Sequence, residues 1–497
     1  MNTMDEIKKL LNKVKKYHDG EILGFPGSVP LEIAKEAFNL AMEINSNAIM
    51  LHFKGKSLEE TSGGKESEAF APIYQMEIEL LMWITVLFHG EKGKTLKEIK
   101  EEWKDKNVWG YMTSGGTESN IFALWVARNY FQQKFPNTLI QIVAPWCDVT
   151  HYSIFKALNL LGLTFTGSDG YEHSKSPVAK LHYVPIGADG YPDYSKLSNE
   201  LDNLPTIFII NAPSINTGLV DNIPNKIKEL YKKGTIIDNN KIWAHVDGAF
   251  GMFFLPFLEE NDYKQIGDPI WTFYQTEKPK LGNLYFPHVK SISVDLHKMG
   301  LIPYPAGVIL INEKNGWKYI ERMVGYIAGH SDNTLLGSRP GAAVTSAYAA
   351  IKELGYMGYK EIIVKSLKLT NKFLEYFNQF DEVFEIVGKP ITNVFAIKFK
   401  QEFINKLKDN IRLQEIVKFW WIKRCVKDYT IVDTSLKVGF LPPDKQKPKN
   451  KKESGKEEKN YEGMIWRFVI MPHVTDKVFN EFKQALYNFI QEVRYNV

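Results

Sequence analysis

Apolar and polar positions follow different periods along this chain, and the change falls near residue 108. Before it the pattern is helical: an amphipathic stretch at 5–17, a turn at Gly24-Phe-Pro-Gly-Ser28, a helix over about 31–45 and an apolar one over 75–88. Thr61-Ser-Gly-Gly-Lys65 reads as a loop. From Val108 onward, β-like runs at 139–144, 181–186, 206–211, 235–246, 288–294 and 307–312 alternate with helical patterns at 118–134, 151–162 and 222–233. That alternation predicts an α/β domain with a mainly parallel sheet and ligands at the strand C-terminal ends.

Beyond Gly341 the pattern changes again. Helices at 342–355 and 357–377 lead to strands near 382–388 and 393–399, then a helix at 411–427. Strands near 430–437 and 464–471 and a helix at 475–494 follow. The chain therefore divides into an N-terminal helical segment (1–75), a large domain (76–345) and a smaller C-terminal α+β domain (346–497). Residues 442–460 have almost no apolar content and read as a disordered surface loop.

Composition narrows the class. With 44% apolar and 24% charged residues over 497 positions, the chain is of ordinary globular type. No apolar run approaches membrane-spanning length, and the first residues lack the apolar core of a signal peptide. Two cysteines, Cys147 and Cys425, make no disulfide framework and no zinc spacing, which suits a reducing, cytoplasmic setting. Residues 445–459 carry seven Lys against three Glu, an excess equal to the whole net charge of +4. The remainder is close to neutral, which argues against a nucleic-acid surface. A phosphate- or membrane-binding role for the Lys-rich tract competes with a simple solvated loop.

Four stretches carry candidate chemistry. Lys298, in Ser293-Val-Asp-Leu-His-Lys298, sits where a strand runs into the Pro- and Gly-rich turn 301–307. An amine desolvated there can attack an aldehyde, although a solvated loop lysine is the plainer reading. Tyr111-Met-Thr-Ser-Gly-Gly-Thr-Glu-Ser-Asn120 places small and hydroxylated residues at a helix N-terminus, where amides and the helix dipole suit a phosphate. The same residues also cap helices for structural reasons, and no Walker lysine follows. Asp247, in His245-Val-Asp-Gly-Ala-Phe-Gly251, ends a strand of buried-type residues and needs a cationic partner if buried. A protonated ring nitrogen would serve, and the small Ala249 leaves room for a flat ring; a turn or N-cap aspartate is the alternative. His151 starts a helix after a strand and could cap it or stack on a planar group.

Taken together and in order, these motifs resemble the group II pyridoxal-phosphate-dependent amino acid decarboxylases. The resemblance is carried by Thr113-Ser-Gly-Gly-Thr-Glu-Ser119, His151-Tyr-Ser-Ile-Phe-Lys-Ala157, His245-Val-Asp-Gly-Ala249, Ser293-Val-Asp-Leu-His-Lys298 and Thr334-Leu-Leu-Gly-Ser-Arg339, over roughly 100–345. It implies the aspartate-aminotransferase-like type I fold, with pyridoxal 5′-phosphate as cofactor. It implies Lys298 as the Schiff-base lysine, Asp247 as the partner of the pyridine nitrogen and His151 as the residue stacked on the ring. Ser114, Gly115, Gly116, Thr117 and His297 fall on positions that hold the phosphate, with Ser214, Ala249 and Ser293 in the remaining cofactor-binding set. Gly337 and Ser338 match a loop that reaches the neighbouring subunit's phosphate, which implies a homodimer. Tyr326 resembles a mobile-loop tyrosine that protonates Cα, with a core tyrosine as the alternative. Arg467 resembles an arginine that binds the substrate carboxylate in some members, with a salt-bridged strand arginine as the alternative. Pro213-Ser-Ile-Asn-Thr-Gly218 departs from the family's usual Gly-Thr-Thr run, retaining only the Ser214 hydroxyl in the run itself.

The expected activity is α-decarboxylation of a small-molecule L-amino acid to its amine, with an aromatic or imidazole side chain (tyrosine- or histidine-like). Alternatives are a glutamate or aspartate decarboxylase, a carbon–carbon lyase of the sphingosine-phosphate lyase type, an amine-oxidising side reaction, and a cofactor-free scaffold. No nucleic-acid or membrane partner and no metal is expected.

Overall fold

A computed structural model describes residues 3–12, 22–46, 71–88, 108–175, 177–195, 197, 200–221, 239–258, 289–313, 316–323, 331–435 and 463–496. Seven strands form the main sheet: β1 (Val108–Thr113), β2 (Ile140–Pro145), β3 (Ala179–Val184), β4 (Thr206–Asn211), β5 (Ile242–Asp247), β6 (Val289–Val294) and β7 (Gly307–Asn312). Their spatial order is β3-β2-β4-β5-β6-β7-β1. β3, β2, β4, β5 and β6 are parallel neighbours, whereas β7 is antiparallel to both β6 and β1. β1 therefore points the same way as the parallel set, and the loops leaving β1, β4, β5 and β6 emerge at one edge. β1, β2, β4 and β5 are buried at every position, as expected of strands covered on both faces.

Among the described residues, helices α1 (Thr3–Leu11), α2 (Glu32–Glu43) and α3 (Ala71–Phe88) precede the sheet. α4 (Gly116–Lys134) follows β1, and α5 (Tyr152–Leu160) follows β2. α6 spans Gly341–Phe377 and is broken at Gly355, where φ is 55° and ψ −163°. A positive φ of this kind suits glycine, and the break falls between the two helices expected there. α6 also carries the chain from one apolar core to the next: Leu367 belongs to the core of the main sheet, Leu369 to the second.

The second core lies against an antiparallel sheet of order β8-β9-β11-β10, formed by β8 (Phe384–Ile386), β9 (Val394–Phe399), β10 (Val432–Ser435) and β11 (Met464–Val469). Phe395 and Phe468 stack across β9 and β11 with ring centroids 4.8 Å apart. α7 (Gln401–Lys408), α8 (Ile411–Phe419) and α9 (Asp476–Asn496) complete this region. α7 was not expected, although Phe403, Ile404 and Leu407 lie on its buried side at helical spacing. The helix expected at 411–427 changes at Trp420 into a π-helix that runs to Asp428.

The two regions meet tightly beside the sheet edge. Gly218 has φ 71°, and a Cβ there would lie 2.0 Å from the Val394 carbonyl oxygen. Among the described residues no helix is long and apolar enough to cross a membrane. The expected loop at 61–65, the helix at 222–233 and the Lys-rich tract at 442–460 lie outside the described residues.

Candidate active site

The shared strand edge gathers the candidate residues. Asn211 pairs with Asp247 across β4 and β5, and Asp247 pairs with Ser293 across β5 and β6. The turn after β6 carries Asp295, His297 and Lys298, and the turn after β1 leads into α4. Together they line a cleft of about 550 Å3.

One end of the cleft is a cradle of backbone. Gly115, the N-cap of α4, has φ 148° and no side-chain cap. A Cβ on Gly115 would sit 3.2 Å from His297 Cε1, and one on Gly116 3.1 Å from Ala249 Cβ. Only glycine keeps this space open, so the first-turn amides and the positive end of α4 face the cleft. Glu118 fixes the shape of the loop: Oε2 accepts from the Ser114 amide (2.8 Å) and Oε1 from the Tyr111 hydroxyl (3.1 Å). Over the cradle, His297 Nδ1 accepts from the Ala306 amide at 3.3 Å, and its ring lies 4.0 Å from that of Tyr304. Burial pushes the pKa of His297 down.

The charged groups lie in the same cleft, with Asp295 Oδ2 3.3 Å from where a Cβ on Gly116 would be. Asp247 is buried and accepts from Asn120 Nδ2 (3.0 Å), the Ala249 amide (3.3 Å) and Ser293 Oγ (3.4 Å). His151 is the N-cap of α5; its Nδ1 lies 2.7 Å from Ser153 Oγ and accepts from the Ser153 amide at 3.3 Å. Burial lowers its pKa. Lys298 Nζ forms an ion pair with Asp295 Oδ2 at 2.9 Å, and Asp295 Oδ1 is buried with no hydrogen-bond partner. Ser214 and Thr217 hydrogen-bond through their hydroxyls, so a second hydroxyl stands beside the one expected at Ser214.

Arg467 enters the cleft wall from β11. Nη1 donates to the Ile215 carbonyl (3.0 Å) and Nη2 to the Gly24 carbonyl (2.8 Å), while Nε is buried without a partner. No carboxylate pairs with it among the described residues, and burial lowers its pKa.

Ser114, Gly115, Gly116, Thr117, His151, Ser214, Asp247, Ala249, His297, Lys298 and Arg467 all line this cleft. Ser293 does not; its hydroxyl reaches Asp247 from behind. Gly337 and Ser338 are exposed and away from the cleft wall. Tyr326 lies outside the described residues. The sequence reading assigned no role to Asn120, Asp295 or Asn211, although all three line the cleft.

Comparison with known proteins supplies the family. No family model matches the chain. A probable L-aspartate decarboxylase of Pyrococcus furiosus is 30% identical over 400 residues, 80% of this chain and 87% of that protein. The chain belongs to the group II pyridoxal-phosphate-dependent amino acid decarboxylases. A probable L-tyrosine/L-aspartate decarboxylase of Methanococcus aeolicus is 27% identical over 436 residues, 86% of this chain and 93% of that one. A sphingosine-1-phosphate lyase of Burkholderia pseudomallei superposes with a TM-score of 0.66 at 18% identity, covering 100% of this chain and 92% of that chain, a likeness of type I fold alone.

The decarboxylase is thus a carboxy-lyase with pyridoxal phosphate as its cofactor, and the cleft fits that group. With no side chain at Gly115 or Gly116, the first-turn amides of α4 stay open to the cleft, as a phosphate would need. A buried carboxylate stands at the strand end for a ring nitrogen, and an amine lies within the same cleft for the aldehyde.

Proposed function

We propose that this decarboxylase acts on a short acidic L-amino acid, with L-aspartate as the first candidate and L-glutamate as the second. The observation that carries the reading is Arg467. A guanidinium cannot escape burial by losing its proton, and an unpaired buried charge is costly. A carboxylate bound in the cleft would relieve that cost through charge-assisted hydrogen bonds. Arg467 suits the side-chain carboxylate rather than the α-carboxylate. Holding the leaving group as an anion would favour the ground state over a transition state in which that charge is departing. The names of the two relatives, both including aspartate, agree with the choice.

Other roles follow from placement. The α4 amides, Ser114 and His297 would hold the phosphate, Asp247 would receive the ring nitrogen, His151 would cover the ring, and Lys298 would bind the aldehyde. When bound, the cofactor supplies a sink for the electron pair left at Cα as CO2 departs. Before that, Asp295 Oδ2, 2.9 Å from Nζ, would keep the Lys298 ammonium in place and would be the atom to accept the proton the amine must lose. An aromatic substrate remains the second reading, because Tyr152, Phe250 and Tyr304 also line the cleft.

The test is CO2 and amine release by cofactor-loaded protein from L-aspartate, L-glutamate, L-tyrosine and L-histidine, with Lys298→Ala as control. Release from an acidic substrate, lost in the control, supports the proposal. Preferential release from L-tyrosine or L-histidine overturns it.

A further inference from the structure

Behind Asp247 runs a line of buried polar side chains that touches no wall of the cleft until it reaches Asn120. Trp243 Nε1 lies 2.9 Å from Ser291 Oγ; Ser291 Oγ lies 2.9 Å from His245 Nδ1; His245 Nε2 lies 3.0 Å from Asn120 Oδ1. Asn120 Nδ2 then reaches Asp247 Oδ2 at 3.0 Å and Ser153 Oγ at 2.9 Å. Ser153 Oγ in turn lies 2.7 Å from His151 Nδ1.

Donor and acceptor chemistry leaves this line one direction. Asp247 as a carboxylate only accepts, so the Asn120 amide must turn its NH2 toward it; the reversed amide would face oxygen against oxygen. Asn120 Oδ1 then only accepts, and His245 Nε2 must carry a proton. His245 is fully buried, and burial pulls its pKa down to about 4, so at neutral pH it has one proton and Nδ1 is an acceptor. Ser291 must donate to that Nδ1 and accept from the Trp243 indole. On the other branch, Ser153 accepts from Asn120 and donates to His151, which places the single proton of a neutral His151 on Nε2. Each donor in the series points toward Asp247, and aligned hydrogen bonds of this kind reinforce one another in a low-dielectric interior.

We propose that Asn120 is the positioning residue that joins both ring-facing groups, Asp247 and His151, to the Trp243–Ser291–His245 line, and that this line keeps the proton on the ring nitrogen of the cofactor rather than on Asp247. Donors aimed at a carboxylate make it a weaker base, so they favour the charge-separated pair over the neutral one. The inference rests on Asp247 receiving the ring nitrogen, as proposed above.

The test is the nitrogen NMR shift of cofactor labelled with 15N in its ring, bound to the full chain. Asp247→Asn reports on the site reading. His245→Phe and Asn120→Ser cut the line at two links, and His245→Gln retains a donor near Nε2. The expected result is a protonated ring nitrogen in the parent and in His245→Gln, and a shift toward the unprotonated value in Asp247→Asn, His245→Phe and Asn120→Ser. kcat should fall about tenfold to a hundredfold in His245→Phe, the range usual for outer partners of a site group, with KM within about twofold. A ring nitrogen that stays protonated in both cut variants, while Asp247→Asn shifts it, would overturn the proposal and leave the site reading standing. No shift in Asp247→Asn would remove both. Weaker cofactor binding with an unchanged nitrogen signal would mark the line as packing alone and also overturn it.

Discussion

Arg339 is buried and Arg467 partly buried, and both donate to backbone carbonyls, yet among the described residues only Arg339 has a carboxylate opposite it. Arg339 Nη1 lies 2.6 Å from Glu77 Oε1 and 2.7 Å from the Met112 carbonyl, and Nη2 lies 3.1 Å from Glu77 Oε2. Glu77 also accepts from the Met112 amide at 2.6 Å, so the pair fastens α3 to β1 just ahead of the cradle. Burial by itself would lower the pKa of Arg339, but Glu77, joined by Tyr111 and Glu118, more than offsets it and the net shift is upward. Arg467 has only burial, and its shift is downward. An arginine completed by the fold is a strut. One without a carboxylate at a cleft would, on the reading proposed above, take the substrate's.

The largest expected effect tests the strut. Arg339→Met leaves Glu77 as an uncompensated buried charge, and stability should fall by about 3–5 kcal/mol in denaturant unfolding. Arg467→Met removes a charge with no carboxylate opposite it among the described residues but leaves the Ile215 and Gly24 carbonyls without a donor, so stability should fall by about 1–2 kcal/mol, less than in Arg339→Met. Its kcat/KM for L-aspartate should nevertheless drop about a hundredfold, close to 2.7 kcal/mol, with little change for L-tyrosine. Equal losses of stability in the two variants would break the contrast and make Arg467 an interdomain staple.

Buried groups that can titrate solve the same problem by becoming neutral. Burial takes His182, His245 and His473 from 6.5 down to about 4, and takes Asp221 from 3.8 up to about 7. Between pH 4 and 6.5 the unfolded chain binds more protons on those histidines than the folded one, so their contribution is complete above 6.5 and is lost as pH falls to 4. Asp221 has the opposite sign: its contribution is present below 3.8 and is lost as pH rises through 7. Stability measured by urea unfolding should therefore rise with pH over 4–6.5. In Asp221→Asn the rise should be steeper by about 1.4 kcal/mol per pH unit, since the opposing slope is gone. The smallest effect is at Ser293→Ala, whose 3.4 Å contact to Asp247 should be worth under about 1 kcal/mol, a few-fold in kcat.

Local pattern carried most of the architecture. β4 and β7 occur at the residues expected, and β2, β3 and β6 lie within two residues of expectation. The candidate site residues up to Lys298, Ser293 apart, fall on one cleft because loops that follow parallel strands share an edge, a rule that needs only the alternation of elements. The polar line behind Asp247 was not read, because its contacts join Asn120 to residues 125 and 127 positions away, which no local spacing reports. A faint signal was present. His245 and Asp247 are two apart on one strand and so share a face, and a polar face on an otherwise buried strand needs polar partners. The expectation of an aromatic or imidazole substrate came from motif likeness around Lys298, at 109–118 and at 251–257. The acidic alternative rests on Arg467, whose lack of a carboxylate among the described residues has no sequence signature.

Gly218 sets a limit on redesign. With no room for even a methyl group against the Val394 carbonyl, and with the Thr392 hydroxyl 3.5 Å from the Gly218 carbonyl, the Ser214 wall and the second sheet are locked together. A substrate wider than the native one cannot be admitted by easing the two regions apart. Space for it has to be carved from side chains such as Ile215, Phe250 or Val469, which makes pocket enlargement a problem of trimming rather than of hinge engineering.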